Sequence, residues 1–378
     1  MHLKNSDNNS ISLGERLLSS AHELGERKII ELIINALDRM PNMVLPFGDD
    51  VSAVDIGHGQ MAVVKVDMLV GKTDVPAGMS AWQAARKAVV MNVSDLAAKG
   101  VQPSALLTSI GIPPDCRRVE IEQIAAGLNT GAREYGAYVL GGDTNETSDL
   151  IIDCLLFGIC QRKDLMTRSG AKPGDILAVT GRFGNPAVGL KILLGTLEVQ
   201  PKLKERVLKS IYLPNARLKE GLALGKTGAV TASIDSSDGL AWSLYELSKM
   251  SGVGFILETV PITTETQQIA KIHNLDANSL ALYGGEEYEL VVTINPKKWG
   301  KACMAIEKVG GELLRIGLVT RKTKIVLRSG KKELQIEPKG WEHFRLHPTQ
   351  MKIKLVYCRK GRSPWKTPSK LRNYNTIT

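Results

Sequence analysis

Residues 80–98 read Ser80-Ala-Trp-Gln-Ala-Ala-Arg-Lys-Ala-Val-Val-Met-Asn-Val-Ser-Asp-Leu-Ala-Ala98. Trp82, Ala85, Val89 and Val93 recur at the spacing of one helix face, and Ser80 has the side chain of an N-cap. The stretch therefore predicts one long helix running to Lys99. Strands are expected on either side of it, over Met61–Val66 and Ala105–Ile110, where apolar and β-branched residues predominate. A helix between strands reads as α/β. The same stretch holds an anomaly. Asp95 sits late in the helix, at neither a cap nor a turn, with Val93, Leu96 and Ala97 as apolar neighbours.

Working outward, the pattern Ile29, Ile30, Leu32, Ile33, Leu37 predicts an amphipathic helix beginning at Glu26, and a strand is expected over Val51–Ile56. Val119–Tyr135 reads as a helix, Ala137–Leu140 and Ile151–Ile159 as strands. A second unit is expected from Met166. It opens with the turn cluster Gly170-Ala-Lys-Pro-Gly174 and the strand Ile176–Thr180. Further helices are expected over Ala187–Leu194, Leu203–Ile211, Ala216–Leu224 and Ala241–Ser251. Further strands are expected over Val230–Ile234, Phe255–Glu258, Leu290–Ile294 and Leu313–Val319. The organisation is a polar leader (1–24), a domain over 25–165, a second over 166–348 and a basic tail over 349–378.

Composition agrees with this plan. A length of 378 residues suits two domains, and 43% hydrophobic residues suffice for packed cores. The 36 glycines suit an α/β enzyme with many tight turns. No apolar run approaches bilayer length, and the polar N-terminus has no signal-peptide core, so a cytoplasmic location without membrane contact is expected. The five cysteines are scattered without metal-ligand spacing and read as reduced, buried thiols. The net charge is +10, but residues 349–378 alone carry eight Lys or Arg and no Asp or Glu, leaving +2 for the remainder. The basic character belongs to the tail, which is expected to be mobile.

Acidic residues recur in five settings: Gly48-Asp49-Asp50; Asp67, ending Met61–Val66; Asn92-Val-Ser94-Asp95-Leu96; Gly141-Gly142-Asp143-Thr144, ending Ala137–Leu140; and Asp235-Ser236-Ser237-Asp238-Gly239. Singly, most are ordinary turn formers or helix caps. Jointly they suggest carboxylates gathered at one rim of an α/β sheet, where ligands bind. Crowded carboxylates raise one another's pKa, and hard divalent cations such as Mg²⁺, which also bridge to substrate phosphates, relieve the repulsion. Common nucleotide motifs are missing. Gly71-Lys72-Thr73 and Gly225-Lys226-Thr227 end like P-loops, but Val66 and Glu220 stand where the first glycine belongs. No histidine lies in the acidic motifs. That absence suits a reaction whose acceptor is already a phosphate oxyanion, because no proton need be removed.

At these residues the chain resembles the thiamine-monophosphate kinase family, within the superfamily of aminoimidazole ribonucleotide synthetase. The resemblance runs from Gly25-Glu26 to Gly340-Trp341-Glu342-His343-Phe344. Besides the five settings it includes Asp67-Met-Leu-Val70, Thr167-Arg-Ser-Gly-Ala-Lys-Pro-Gly-Asp175 and Gly284-Gly-Glu-Glu-Tyr-Glu-Leu290. It implies a two-domain α/β (α+β) fold, with an N-terminal sheet domain that pairs in a homodimer and a C-terminal α/β domain. The implied reaction is in-line transfer of the γ-phosphoryl group of ATP to thiamine monophosphate at a multi-Mg²⁺ site. By matching position, Asp50, Asp67, Asp95, Asp143, Asp235 and Asp238 would bind Mg²⁺. Gly142, Asp143, Arg168 and Ser237 would contact the nucleotide, while Asp74, Glu286 and Trp341 would belong to the substrate pocket.

Residue chemistry leaves plainer readings beside these. Arg168 could grip phosphate or form a salt bridge; Trp341 could stack on a cationic ring or anchor the core; Glu286 could be a turn carboxylate. There are departures too. Many bacterial members have Ser-Thr where this chain has Lys65-Val66, and a His where it has Asp74. The nearest rival is another ATP-using enzyme of the superfamily. Selenophosphate synthetase is a poor match, since its reactive Cys is expected near the N-terminus and the first cysteine here is Cys116. Binding of nucleic acid through the tail, with Tyr357, Trp365 and Tyr374 among the basic residues, is a weaker rival.

Overall fold

The computed structural model describes residues 20–344. The leader to residue 19, the basic tail and its strand-like Ile353–Cys358 lie outside the described residues.

The chain forms two sheets. The first has five strands in the order β1-β2-β5-β3-β4, with β1 Ser52–Asp55, β2 Gln60–Val70, β3 Pro103–Ile112, β4 Tyr138–Glu146 and β5 Ile151–Gln161. All its pairings are antiparallel except β3 with β4, which are parallel and joined through a helix. The second has seven strands in the order β12-β11-β8-β10-β6-β9-β7. Its strands are β6 Ile176–Val179, β7 Val230–Ser236, β8 Gly254–Leu257, β9 Glu289–Ile294, β10 Leu314–Thr320, β11 Ile325–Ser329 and β12 Lys332–Gln335.

Among the described residues, ten helices span seven residues or more. They are α1 Glu26–Ala36, α2 Ala81–Ala98, α3 Arg118–Glu134, α4 Asn185–Leu193, α5 Pro201–Tyr212, α6 Leu218–Gly225, α7 Leu240–Ser251, α8 Thr264–Ile272, α9 Ala277–Tyr283 and α10 Trp299–Glu307. The predicted N-cap of α2 is present and forms a capping box: the Gln83 N–H donates to Ser80 Oγ at 3.2 Å, and the Ser80 N–H donates to Gln83 Oε1 at 2.9 Å.

The position of α2 organises the molecule. It packs on β2 and β5 of the first sheet, runs along α3, and touches α6 and β7 of the second unit. It is therefore buried on nearly every side, from Ala84 to Ala98, which explains its run of alanines and valines. Neighbouring helices approach closely enough to require glycine. At Gly221 of α6 a Cβ would lie 2.0 Å from the carbonyl oxygen of Ala97. Gly221→Ala is thus expected to destabilise the protein by about 1–3 kcal/mol, as overpacking does. A melting temperature unchanged by the substitution would contradict this contact.

Two motifs fall differently from expectation. β2 runs to Val70 and β4 to Glu146, so Asp67 and the Gly141–Thr144 motif lie inside strands rather than at their ends. In β4 the glycines serve pairing: a Cβ on Gly142 would lie 1.8 Å from the Thr108 carbonyl oxygen of β3. Helices α8, α9 and α10, and the strands β11 and β12, are further elements that the apolar pattern did not mark.

Candidate active site

Asp50, Asp95 and Asp235 converge from the loop before β1, from α2 and from β7. One carboxylate oxygen of each lies within 4.8 Å of the others, and all three residues are buried. The group therefore forms between the two sheets, on the C-terminal half of α2, rather than along one sheet rim. The long helix that fills that space carries the central carboxylate. Asp95 stands near the negative end of the α2 dipole, so its charge needs cations nearby.

Three side-chain cations supply part of that charge. Lys99, fully buried at the end of α2, places Nζ 2.7 Å from Asp49 Oδ1, 2.6 Å from Asp50 Oδ2 and 2.9 Å from the Ser233 carbonyl oxygen. Arg168 donates from Nε to Asp50 Oδ1 at 2.5 Å and from Nη1 to the Gly48 carbonyl at 2.7 Å, and its Nη2 also pairs with Asp50. Lys65 sits 3.0 Å from Asp67 Oδ1 and 3.2 Å from Asp95 Oδ2. Ser94 Oγ donates to Asp235 Oδ2 at 2.7 Å, and Asn92 Nδ2 donates to the Asp67 carbonyl at 3.3 Å.

Protonation follows from this uneven supply. Burial pushes Asp50 up, but Arg168 and Lys99 together prevail and hold its carboxyl below the usual range. Asp95 goes the other way: burial, then the charges of Asp235, Asp67 and Asp50, outweigh Lys65 and raise it well above the ordinary value. Asp235 is pushed up to about 7 by burial and by Asp50. For Lys65, burial disfavours the charge, but Asp95 and Asp67 reverse this and raise its pKa above the ordinary value. The donor set fits a hard divalent cation. It is all oxygen and buried, two of its three carboxyls are raised above the ordinary carboxylate range, and Ser236 Oγ, next in sequence to Asp235, is buried without a hydrogen-bond partner.

Beside this cluster opens a cavity of about 760 Å³, lined by Arg168, Asp235, Ser237, Asp238 and Trp341 on one side and by α1 and Trp242 on the other. Asp238 is raised to about 6, chiefly by burial and by Glu26. The cavity wall is knitted by backbone bonds. The Trp341 N–H donates to the Asp238 carbonyl at 3.0 Å and the Glu286 N–H to the Ser237 carbonyl at 2.6 Å. Glu286 has φ +66°, and a Cβ on Gly285 would stand 2.6 Å from the Ser237 carbonyl. The Glu286 carboxylate pairs with Lys87, a buried residue of α2 whose Nζ also donates to the Asp74 carbonyl at 2.9 Å. One lysine thus joins the two loops expected to meet substrate. The Asp74 carboxylate itself accepts from the Val70 N–H at 2.7 Å.

Asp143 and Gly142 stand elsewhere. Asp143 is exposed on β4, in register with Ser109, which is paired on its other side with Asp153. Alternation along β3 puts Thr108 on the buried face and Leu107 and Ser109 on the exposed one, so Asp143 lies on the outer face of the first sheet. The acidic motifs do not point to Lys65, Lys87 or Lys99. For Lys65 a signal exists: Met61, Val63, Lys65, Asp67 and Leu69 share one face at period two, and Met61, Val63 and Leu69 are fully buried.

The chain as a whole is similar to known proteins. Residues 48–160 match the family described as AIR synthase related protein, N-terminal domain. The chain is similar to thiamine-monophosphate kinases of Nitrosopumilus maritimus, 35% identical over 76% of this chain and 90% of that protein, and Pyrococcus horikoshii, 35% identical over 85% and 97%. Among solved structures it resembles AaThiL complexed with AMPPCP and TMP, at TM-score 0.74 and 26% identity, covering 89% of this chain and all of that one. A Thermus thermophilus protein also gives TM-score 0.74, at 27% identity over 83% of this chain and 99% of that one. Residues 48–160 thus form an AIR-synthase-related N-terminal domain within a two-sheet mixed α/β architecture. The chain belongs to the thiamine-monophosphate kinase family.

Proposed function

We propose that this chain phosphorylates thiamine monophosphate to thiamine diphosphate with ATP, using the Asp50, Asp95 and Asp235 group as its metal anchor. Support comes from the family relationship and from the convergence of three buried carboxylates beside a cavity of about 760 Å³. An oxygen of the acceptor phosphate attacks the γ-phosphorus in line as the bond to the β,γ-bridging oxygen breaks, and ADP leaves. The acceptor is an oxyanion at neutral pH, so the lack of a histidine in the acidic motifs is no obstacle. Asp50, Asp95 and Asp235 would hold Mg²⁺, which would neutralise charge on the phosphates. Ser237 and Asp238 line the cavity and would meet the nucleotide side. Lys87 would fix Glu286 and the 71–74 turn around thiamine phosphate, with Trp341 close by. Arg168 chiefly holds Asp49 and Asp50 in place, since the Arg168 N–H also donates to Asp49 Oδ2 at 3.0 Å.

The protein is proposed to work as a homodimer. The outer face of the first sheet exposes Val66, Met68, Leu107, Leu140, Leu155 and Ile159. Pairing through it would also enclose Asp143. Light scattering is expected to give a dimer, and Leu155→Asp a monomer.

The direct assay supplies MgATP with thiamine monophosphate and separates products by chromatography. Thiamine diphosphate is expected, with no product from unphosphorylated thiamine, an alcohol that would require a base. Turnover of thiamine alone, or of neither acceptor, would overturn the reading.

A further inference from the structure

The Lys65 ammonium lies between two carboxylates at the edge of the acidic group. It stands 3.0 Å from a carboxylate of β2 and 3.2 Å from the carboxylate of α2, bridging strand and helix as a bound cation would. The side chain is only 18% exposed, and its strand neighbour in register is Leu156, which is fully buried. Its stem is therefore flanked by apolar packing, and its charge is placed by β2 itself.

The charges make this consequential. Five carboxylates make up the group: Asp49, Asp50, Asp67 and Asp95 are ion-paired, and Asp235 stands against Asp50 and Asp95. Three side-chain cations, Lys65, Lys99 and Arg168, are distributed among them. Two negative charges remain when all five are ionised, the charge of one divalent ion. The contact triangle of Asp50, Asp95 and Asp235 is where that ion fits.

We propose that Lys65 is a built-in cation that stands in for one divalent metal ion between Asp67 and Asp95, so that the protein alone holds a single ion and any further ones arrive with the nucleotide. Lys65 is a positioning residue in this scheme. It fixes Asp67 and Asp95 without dissociating, and it deepens the kinase reading above by assigning the cation content of the same site.

Counting bound Mn²⁺ by electron paramagnetic resonance, without nucleotide, tests this on the full chain. The wild-type protein is expected to bind one Mn²⁺ per chain. Lys65→Met, which keeps the bulk and removes the charge, is expected to bind two, and Lys65→Arg to return the count to one. Two or more ions on the wild type, or one ion at unchanged affinity on Lys65→Met, would overturn the proposal. Should Lys65→Met not fold, the wild-type count and the comparison of Lys65→Gln with Lys65→Arg decide the matter in the same way. The count does not depend on turnover. A chain that binds one Mn²⁺ yet makes no thiamine diphosphate fails as a kinase while the lysine's role stands; a chain that turns over but binds two fails the other way.

Discussion

Asp95→Asn is expected to lower kcat by roughly a hundredfold or more while the protein still folds, because charge neutralisation at the metal supplies several kcal/mol of transition-state stabilisation. An amide keeps the size of the carboxylate but brings no negative charge to a cation. The fold should tolerate the change. Asp95 is surrounded by Asp50, Asp67 and Asp235, and its carboxyl is already pushed well above its ordinary pKa by burial and by those neighbours. Lys65 keeps its contact with Asp67 in the variant. The check is a pair of measurements, turnover at saturating Mg²⁺ and the melting temperature of the metal-free protein. Near-normal turnover would remove Asp95 from the metal site. A collapse of the melting temperature would make its role structural.

The second large effect concerns pH. The Asp235 carboxyl titrates at about 7 in the folded chain against 3.8 for the ordinary group, raised by burial and by Asp50, and Asp95 is raised in the same direction. Between these values the folded state binds more protons than the unfolded one, so metal-free stability falls as pH rises from about 4 to about 7. For Asp235 the full shift corresponds to about 4 kcal/mol, on the order of 1.4 kcal/mol per pH unit. Asp50 acts in another window. Its lowered pKa contributes stability that is lost only as pH falls below its ordinary value of 3.8. Melting in EDTA should therefore show lower stability at pH 7.5 than at pH 5.5. Asp235→Asn should flatten that slope, and Mg²⁺ with a non-hydrolysable ATP analogue should restore stability at pH 7.5 by binding only the folded state. Equal slopes for wild type and variant, or indifference to the ligands, would mean that these carboxyls are not crowded together.

The sequence alone determined the local features and the family. A 3.6-residue period and a Ser N-cap are written within a few residues, so α2 was legible with its bounds. The acidic motifs named the donor type, oxygen, because it is set by residue identity alone, and with it the expectation of a hard cation. Lys65 was partly legible through strand alternation. What only the tertiary structure decided is which of these groups meet. Lys99 reaches Asp49, Asp50 and the Ser233 carbonyl, and Ser94 reaches Asp235, across separations that no local pattern records. Asp143 is read from sequence as one more carboxylate of the set, yet the parallel pairing of β4 with β3 turns it to the opposite face of the first sheet. Asp74 and Glu286 lie in separate loops, and a single buried lysine of the helix between the sheets brings them together. Residue type carries the chemistry, but charge pairing depends on distance in space, and the packing of α2 between two sheets sets that distance.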